Sequence, residues 1–223
     1  KSAYEAAGYE VQTTRLATIP FPKLLDDVNV LPRMAEQLET ILPQIGVAYA
    51  SLGPALIEYP KSYDVIPDAI AASQNVFFGG EMASHAKGIS LQAVNACARI
   101  IQKASTITPE GFANLRFAAL ANVPAGAPFF PAAYWDKDEP AFAIATEAAD
   151  LAVEAFSGQQ TIDDGRRALI AEIEKHGQAI AHAAQSLIPN PQSLIFHGID
   201  FSLAPFPDDA HSLGAAVEKI GVS

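Results

Sequence analysis

A glycine pair followed by a carboxylate and an imidazole is the clearest chemical pattern in this sequence. Gly79 and Gly80 follow the apolar run Asn75–Phe78, and Glu81 and His85 come next, four residues apart. Glycines allow a sharp turn that exposes backbone amides, and such amides can bind an anion. If the following residues are helical, Glu81 and His85 share a face and form a general-base pair or two metal ligands. The alternative is a short loop that leads into a solvated helix.

A second pair of polar residues lies near the end of the segment Ser193–Leu203. Asp200 and Ser202 alternate there with apolar residues, so they share one face of a strand. They can bind substrate hydroxyls or move a proton, or they can bond to nearby backbone where the strand ends. Ligands gather at the carboxyl ends of parallel strands. We therefore expect Glu81, His85 and Asp200 to face one cavity.

Three further residues could hold a substrate. Arg15 lies within the predicted strand Tyr9–Thr18, and a guanidinium near a core needs an anionic partner. That partner is either a protein carboxylate or a substrate carboxylate or phosphate. Asn122 could add an amide donor. Tyr134 belongs to an aromatic cluster that either covers a pocket as a lid or packs against a neighbouring helix or the missing half of the barrel. The predicted catalytic residues are Glu81, His85 and Asp200, and the predicted substrate-binding residues are Arg15, Gly79, Gly80, Asn122, Ser202 and Tyr134.

Five segments have strand patterns, and helical patterns lie between them. The strand segments are Tyr9–Thr18, Val47–Leu52, Asn75–Phe78, Leu115–Val123 and Ser193–Leu203. The predicted helices begin near Pro32, after Ser90, at Pro140, after Thr161 and after Ser212. This alternation predicts an α/β fold with mostly parallel strands and helical crossovers, in a single domain over residues 1–223. Polar residues within the first strand favour a wide barrel over a doubly wound sheet.

Charge and composition exclude several classes of protein. The chain has 223 residues, half of them hydrophobic, and a net charge of −11. This charge and the lack of a basic cluster argue against nucleic acid, and no apolar run approaches the ~20 residues that cross a bilayer. The single cysteine, Cys97, lies in a predicted helix and fits a reducing compartment, so we expect a cytoplasmic protein.

Four longer runs together resemble one known family. They are YEVQTTRLATIPFP (Tyr9–Pro22), ANVPAGAPFFPAAYW (Ala121–Trp135), AFAIATEAADL (Ala141–Leu151) and GIDFSLAPFPDDAHSLGAAVE (Gly198–Glu218). The family is the uncharacterised domain of unknown function seven-eleven, which is grouped with the pyruvate formate-lyase-like barrels. The resemblance implies a ten-stranded α/β barrel made of two five-stranded halves, in proteins about twice this length. Trp135 stands where the family often has histidine.

The resemblance implies about half of such a barrel for this chain. A helix-like start at Lys1–Gly8 and a stop after Gly221 suggest a piece of a longer protein. The glycine loop and barrel cysteine of glycyl-radical lyases are not visible, so we do not expect radical chemistry. The open edges of a half-barrel predict association with a second copy or with the remainder of the polypeptide.

Two functions of different classes fit these observations. The first is a small-molecule metabolic enzyme that acts on a small carboxylate or phosphate by acid–base chemistry. The second is a non-catalytic barrel that binds a metabolite or a partner and regulates it, since fold alone does not choose between them. The sequence assigns no cofactor and no metal.

Overall fold

The computed structural model describes residues 1–188, 194–203 and 209–221. The chain forms two compact units, one of residues 11–138 and one of residues 1–10 with 139–223. The prediction of a single domain stays a prediction. No helix in the described ranges is long and apolar enough to cross a membrane.

The unit of residues 11–138 contains one five-stranded sheet with helices between its strands. Its strands are β1 (Arg15–Ala17), β2 (Tyr49–Ala55), β3 (Val76–Ser84), β4 (Gly88–Ile89) and β5 (Phe117–Ala121). Helix α1 (Ser2–Ala6) belongs to the other unit. The α-helices of this unit are α2 (Phe21–Leu24), α3 (Leu31–Ile41), α4 (Ile66–Ala71) and α5 (Leu91–Ala104). Strands β1, β2, β3 and β5 are parallel neighbours in chain order, and the short β4 pairs antiparallel with the end of β3. Consecutive parallel strands require the helical crossovers that the sequence predicts.

One face of this sheet packs against the helices. Val76 and Phe78 of β3 are fully buried in a core that also contains Leu31 of α3, Ile70 of α4 and Ile100 of α5. Side chains alternate along a strand, so Phe77, which lies between Val76 and Phe78, points to the opposite face. The helical stripes that the sequence predicts for α3 and α5 therefore supply this core.

The opposite face of the sheet, here called the second face, is covered by the aromatic segment that follows β5. The Ser51 hydroxyl donates to the Ala133 carbonyl oxygen at 2.6 Å, and the backbone amide of Trp135 donates to the Thr18 carbonyl oxygen at 2.9 Å. The rings of Phe77 and Phe130 meet edge-on, with their centroids 5.5 Å apart. The segment packs against a face of its own sheet, whereas the sequence predicted either a lid over a pocket or packing against a neighbouring helix or the missing half.

The unit of residues 1–10 and 139–223 contains a second, two-stranded parallel sheet. Its described elements are α1, β6 (Ala141–Glu147), α6 (Ala149–Phe156), α7 (Ile162–Ser186), β7 (Ile195–Ser202) and α8 (Leu213–Glu218). Gly177 of α7 lies against the ring of Phe201 in β7, where a methyl group would be 3.6 Å from the ring. A methyl group at that distance would make an ordinary van der Waals contact, so alanine would also fit at this position.

The predicted helix starts are mostly confirmed. The hydroxyls of Ser90, Thr161 and Ser212 each accept a hydrogen bond from the backbone amide three residues later, at 3.3, 3.1 and 3.1 Å. These bonds satisfy amides that have no partner inside the first helical turn. Pro32 lies in the first turn of α3. The stop predicted at Pro189-Asn190-Pro191 lies outside the described residues.

The strand predictions are confirmed in type but differ in extent. Only Arg15–Ala17 of the first segment is a strand, and β3 continues six residues beyond Phe78. The helix predicted from Pro140 is wrong at its start, because Ala141–Glu147 is a strand and helix α6 begins at Ala149. Proline can precede a strand as well as open a helix. The fifth predicted strand therefore pairs with β6 instead of joining the larger sheet.

The described strands do not close into a barrel. They form a mixed α/β architecture of mostly parallel strands, as the sequence predicts, in two separate sheets. Chain-order pairing of β1, β2, β3 and β5 is the order found in singly wound α/β barrels. The ten-stranded barrel that the family resemblance implies stays a prediction.

Candidate functional site

A small cavity lies on the second face, at the carboxyl ends of β2, β3 and β5. Its volume is about 60 Å³, and it is lined by Pro54, Leu56, Glu81, Ala83, Ser84, Leu120, Val123 and Tyr134. One water needs about 10–15 Å³ of such space, so the cavity has room for a few waters or a small ligand group. Its position is the one where parallel α/β sheets place their ligands.

Glu81 is the charged residue that lines this cavity. Its Oε2 accepts hydrogen bonds from the Ile57 backbone amide at 3.3 Å and from Lys87 Nζ at 2.9 Å. The Tyr63 hydroxyl donates to the Glu81 carbonyl oxygen at 2.6 Å. The Glu81 side chain is only 15% exposed. A carboxylate this far from water needs such donors, and they fix its position at the cavity.

Lys87 bridges two carboxylates above the end of β3. Its Nζ lies 2.6 Å from Glu58 Oε1 and 2.9 Å from Glu81 Oε2. Burial lowers the pKa of Lys87, but the hydrogen bonds to Glu58 and Glu81 outweigh burial, so its pKa lies above the ordinary value. The hydrogen bond from Lys87 holds the pKa of Glu58 below its ordinary value. The two carboxylates and the ammonium together carry a net charge of −1 at neutral pH.

Two hydroxyls also border the cavity. The Tyr134 hydroxyl donates to the Val123 carbonyl oxygen at 2.9 Å. Burial, and then the Asp136 and Glu81 carboxylates, raise the pKa of Tyr134, so it stays a protonated donor at neutral pH. The buried Ser84 Oγ has no hydrogen-bond partner among the described residues. A buried hydroxyl without a partner is available to a ligand or to water.

The glycine pair does not form the turn that the sequence suggested. Gly79 and Gly80 lie inside β3, paired with Pro54 and Ala55 of β2 on one side and with Ala118 and Ala119 of β5 on the other. Their backbone groups therefore face neighbouring strands, so the expected set of exposed amides is not formed. Neighbouring side chains leave too little room for a side chain at either glycine. A methyl group at Gly80 would lie 2.7 Å from Cys97 Sγ, and one at Gly79 would lie 3.1 Å from Leu120 Cδ1.

The predicted helical pair of Glu81 and His85 is wrong. β3 continues through Ser84, and His85 lies in an exposed turn before β4. Gly88, with a φ of +67°, supplies the left-handed conformation that this turn requires. Lys87, two residues after His85, lies beside Glu81 where the imidazole was predicted. His85 as a catalytic residue stays a prediction, without a described contact that supports it.

Arg15 lies at the other end of the sheet, and it is exposed. It pairs in register with Tyr49, and Tyr49 directly precedes the pairing of Ala50 with Val76. Arg15 is therefore level with Asn75, the residue that precedes β3. Glu81 lies six residues further along the strand direction, which is about 20 Å at about 3.3 Å per residue. The expected anionic partner is absent from the described residues. The Arg15 guanidinium instead lies over the rings of Tyr49 and Phe130.

Asp200 and Ser202 lie in β7, in the unit of residues 1–10 and 139–223. Phe201 faces α7, so these two side chains point to the opposite face of the sheet, as their alternation predicted. The buried Asp200 Oδ2 has no hydrogen-bond partner among the described residues, and the Asp200 carbonyl oxygen accepts from Thr146 Oγ1 at 3.1 Å. Glu81 belongs to the other unit. Their shared cavity stays a prediction.

The structure thus gathers some predicted residues and adds others. Glu81 and Tyr134 line the cavity, and Asn122, which has a φ of +55°, lies beside it with its backbone N–H donating to the Ala83 carbonyl oxygen at 3.0 Å. Sequence reasoning missed Lys87, Glu58 and Ser84. One signal was present: Lys87-Gly88 has the pattern of a tight turn, and such a turn returns the chain toward Glu81.

Comparisons with known proteins agree with the resemblance found in the sequence. The family model described as Uncharacterised ACR (DUF711) matches residues 1–223. A UPF0210 protein of Acetivibrio thermocellus is 25% identical, over 96% of this chain and 50% of the relative. UPF0210 proteins of Pyrobaculum islandicum and Halothermothrix orenii are 25% and 26% identical, with the same two coverages. The chain spans about half the length of these curated relatives. It belongs to the uncharacterised DUF711 family.

Proposed function

We propose that the cavity beside Glu81 is the acid–base site of a small-molecule enzyme. The observation that carries this proposal is the Glu81 carboxylate, which lines a cavity at the carboxyl edge of a parallel sheet while Lys87 holds it at 2.9 Å. A fixed carboxylate in a small cavity can accept a proton from a bound substrate, because little water competes for the position. Ser84 and Tyr134 supply hydroxyls at the same cavity.

The proposed substrate is a small carboxylate or phosphate. Lys87 has one buried partner, Glu81, and one exposed partner, Glu58, whose side chain is 52% exposed. A substrate oxyanion can replace Glu58 on the ammonium and leave the Glu81 pair intact. This exchange would also open the site outward, and a cavity of about 60 Å³ needs that space to admit a substrate. The substrate anion is thereby placed next to the proton acceptor.

The test begins with binding and ends with turnover. Thermal-shift titration of the purified protein with acetate, malonate and inorganic phosphate, followed by a screen of small carboxylates and phosphate esters, identifies ligands by mass action. Each ligand that stabilises the protein is then incubated with it and followed by NMR for chemical change. The expected result is turnover that Glu81→Gln abolishes, while Glu172→Gln, a matched change in an exposed ion pair of α7, leaves it intact.

The second candidate is a regulatory protein that binds a metabolite or partner without catalysis. The observation that favours it is the full pairing of Lys87 by two carboxylates, which is also the arrangement of a structural ion pair. Under this function a ligand stabilises the protein but is recovered unchanged after long incubation. Such a result with every stabilising ligand would exclude the enzyme proposal.

A further inference from the structure

A cluster of Arg15 and aromatic rings lies at the amino end of the sheet, away from the Glu81 cavity. The Arg15 guanidinium carbon lies 5.6 Å from the ring centroid of Tyr49 and 5.5 Å from that of Phe130. Phe77 meets both of these rings edge-on, at centroid distances of 5.3 and 5.5 Å. The three rings thus support one another, and two of them support the cation.

The guanidinium is held in place, yet its terminal nitrogens are not used. Arg15 Nε donates to Thr13 Oγ1 at 2.8 Å, which fixes the end of the side chain that is nearer the backbone. Within the described ranges, neither terminal nitrogen donates to another residue, and Arg15 takes part in no ion pair. Two other cations of the same unit do have partners: Lys87 pairs with two carboxylates, and the buried Arg116 donates to Ser73.

We propose that Arg15 binds the oxyanion of a small molecule, either a carboxylate or a phosphate, at a site separate from the Glu81 cavity. The planar edge formed by the two terminal nitrogens matches an oxyanion with two parallel hydrogen bonds. A free arginine loses side-chain freedom when it binds such a group, but the two rings and Thr13 have already restricted Arg15. The site is therefore preorganised for an anion.

This site is distant from the one proposed above, and the charge of the chain favours specific over unspecific binding there. Arg15 and Glu81 lie at opposite ends of the sheet, about 20 Å apart along the strands at about 3.3 Å per residue. The chain also carries a net charge of −11, which disfavours unspecific binding of anions. Saturable binding of an anion would therefore require a specific cation such as Arg15.

The experiment combines calorimetry with NMR of the arginine side chains. Malonate, acetate and inorganic phosphate are titrated into the protein, with sodium chloride at equal ionic strength as the reference. We expect a saturable shift of the Arg15 Nε–Hε resonance with at least one of the three, and their relative affinities distinguish carboxylate from phosphate. Arg15→Lys keeps the charge but loses the planar edge, and it should weaken binding by about tenfold. Phe130→Leu, which removes one ring, should weaken it by about threefold.

Two controls make the outcome decisive. Arg166→Lys changes an exposed arginine of α7 and should not alter the affinity measured from the Arg15 Nε–Hε shift. Glu81→Gln changes the other site, so it should leave that affinity unchanged even where it alters the total binding measured by calorimetry. An equal shift with chloride, or an equal loss in Arg166→Lys, would overturn the proposal. Saturable binding that depends on Glu81 and not on Arg15 would also overturn it, while supporting the acid–base site. Phe130→Leu decides the matter if Arg15→Lys does not fold.

Discussion

The thiol of Cys97 lies directly against the backbone of Gly80. The Sγ atom is 3.6 Å from the Gly80 carbonyl oxygen, to which it donates, and a methyl group at Gly80 would lie only 2.7 Å from Sγ. Both residues are buried, one in β3 and one in α5. Helix α5 therefore packs against the strand at a position that has no side chain.

Gly80→Ala should destabilise the protein by about 1–3 kcal/mol, because the new methyl group overpacks the contact between helix and strand. Urea unfolding followed by circular dichroism measures this change. Combining it with Cys97→Ala should recover part of the loss, since that substitution removes the sulfur atom nearest to the new methyl group. An additive double variant would show that the Cys97 contact does not set the cost.

Gly79→Ala is the matched control for this prediction. The nearest atom to a methyl group there is Leu120 Cδ1 at 3.1 Å, which is the far end of a flexible side chain. Leu120 can rotate away, so we expect a smaller loss than for Gly80→Ala. If both substitutions cost the same, the contact with Cys97 is not special.

Lys87→Met should destabilise the protein by about 1 kcal/mol, because it leaves the mostly buried Glu81 carboxylate without its charged partner. Chemical unfolding at pH 7 measures the free energy of unfolding. Lys175→Met is the control, since Lys175 pairs with Glu172 on the exposed surface of α7, and we expect no measurable change there. A larger effect at Lys175 would contradict the importance of the Glu81 pair.

The contribution of Glu58 to the free energy of unfolding should depend on pH. Lys87 holds the pKa of Glu58 below 4.5, its ordinary value, so the folded state favours the ionised form. The stabilisation is then fully present above pH 4.5 and is lost as the pH falls through the lowered pKa. Because Glu58 is largely exposed, we expect at most about 0.5 kcal/mol. The free energies of unfolding of the wild type and of Glu58→Gln, measured from pH 6 to pH 3, should differ by less as the pH approaches 3. A difference that stays constant over this range would refute the prediction.

Cys97 should be unreactive in the folded protein. Burial raises the pKa of its thiol to about 11 from an ordinary 9.0, which leaves about a hundredfold less thiolate at neutral pH. Alkylation by iodoacetamide should be slow until denaturant is added. Ser105→Cys, which places a second thiol at the exposed end of α5, provides a fast-reacting reference in the same chain. Equal rates at the two positions would show that Cys97 is accessible.

The isolated chain should associate with itself. In the described residues, β1 and β5 each pair on one side only, and Leu16 of β1 is 41% exposed. Phe112 and Leu115, just before β5, are 62% and 65% exposed. Unpaired edges with apolar neighbours favour pairing with another chain. Light scattering over a range of concentrations should show association that Leu16→Lys reduces, and a monomer at every concentration would disprove it.

Local patterns in the sequence predicted the elements well, but contacts between distant residues decided the site. Ser90 and Thr161 were identifiable as helix caps because a cap depends on residues only three positions away. Gly79-Gly80 was misread as a turn, since its cause is packing against Cys97 and Leu120, which lie in other elements. A glycine pair has the same appearance in both situations, so sequence alone could not separate them.

The strand β6 and the Lys87 pair were missed for related reasons. Residues 141–147 are rich in alanine, which favours helix, and only pairing with β7 makes them a strand. Glu81 lines the cavity at the carboxyl end of β3, and its predicted catalytic role stays a prediction. Its partner depended on how far that strand continues, and this length is set by pairing with β5 and β4.

The hydrogen bond from Ser51 to Ala133 joins two residues that the ribosome adds several seconds apart. The two residues are 82 positions apart, and at about 5–20 residues per second the ribosome needs about 4–16 s to add the intervening chain. During that interval β2 exists without the segment that covers its second face. Phe77, which later packs on Phe130, is then an apolar surface open to chaperones on the nascent chain.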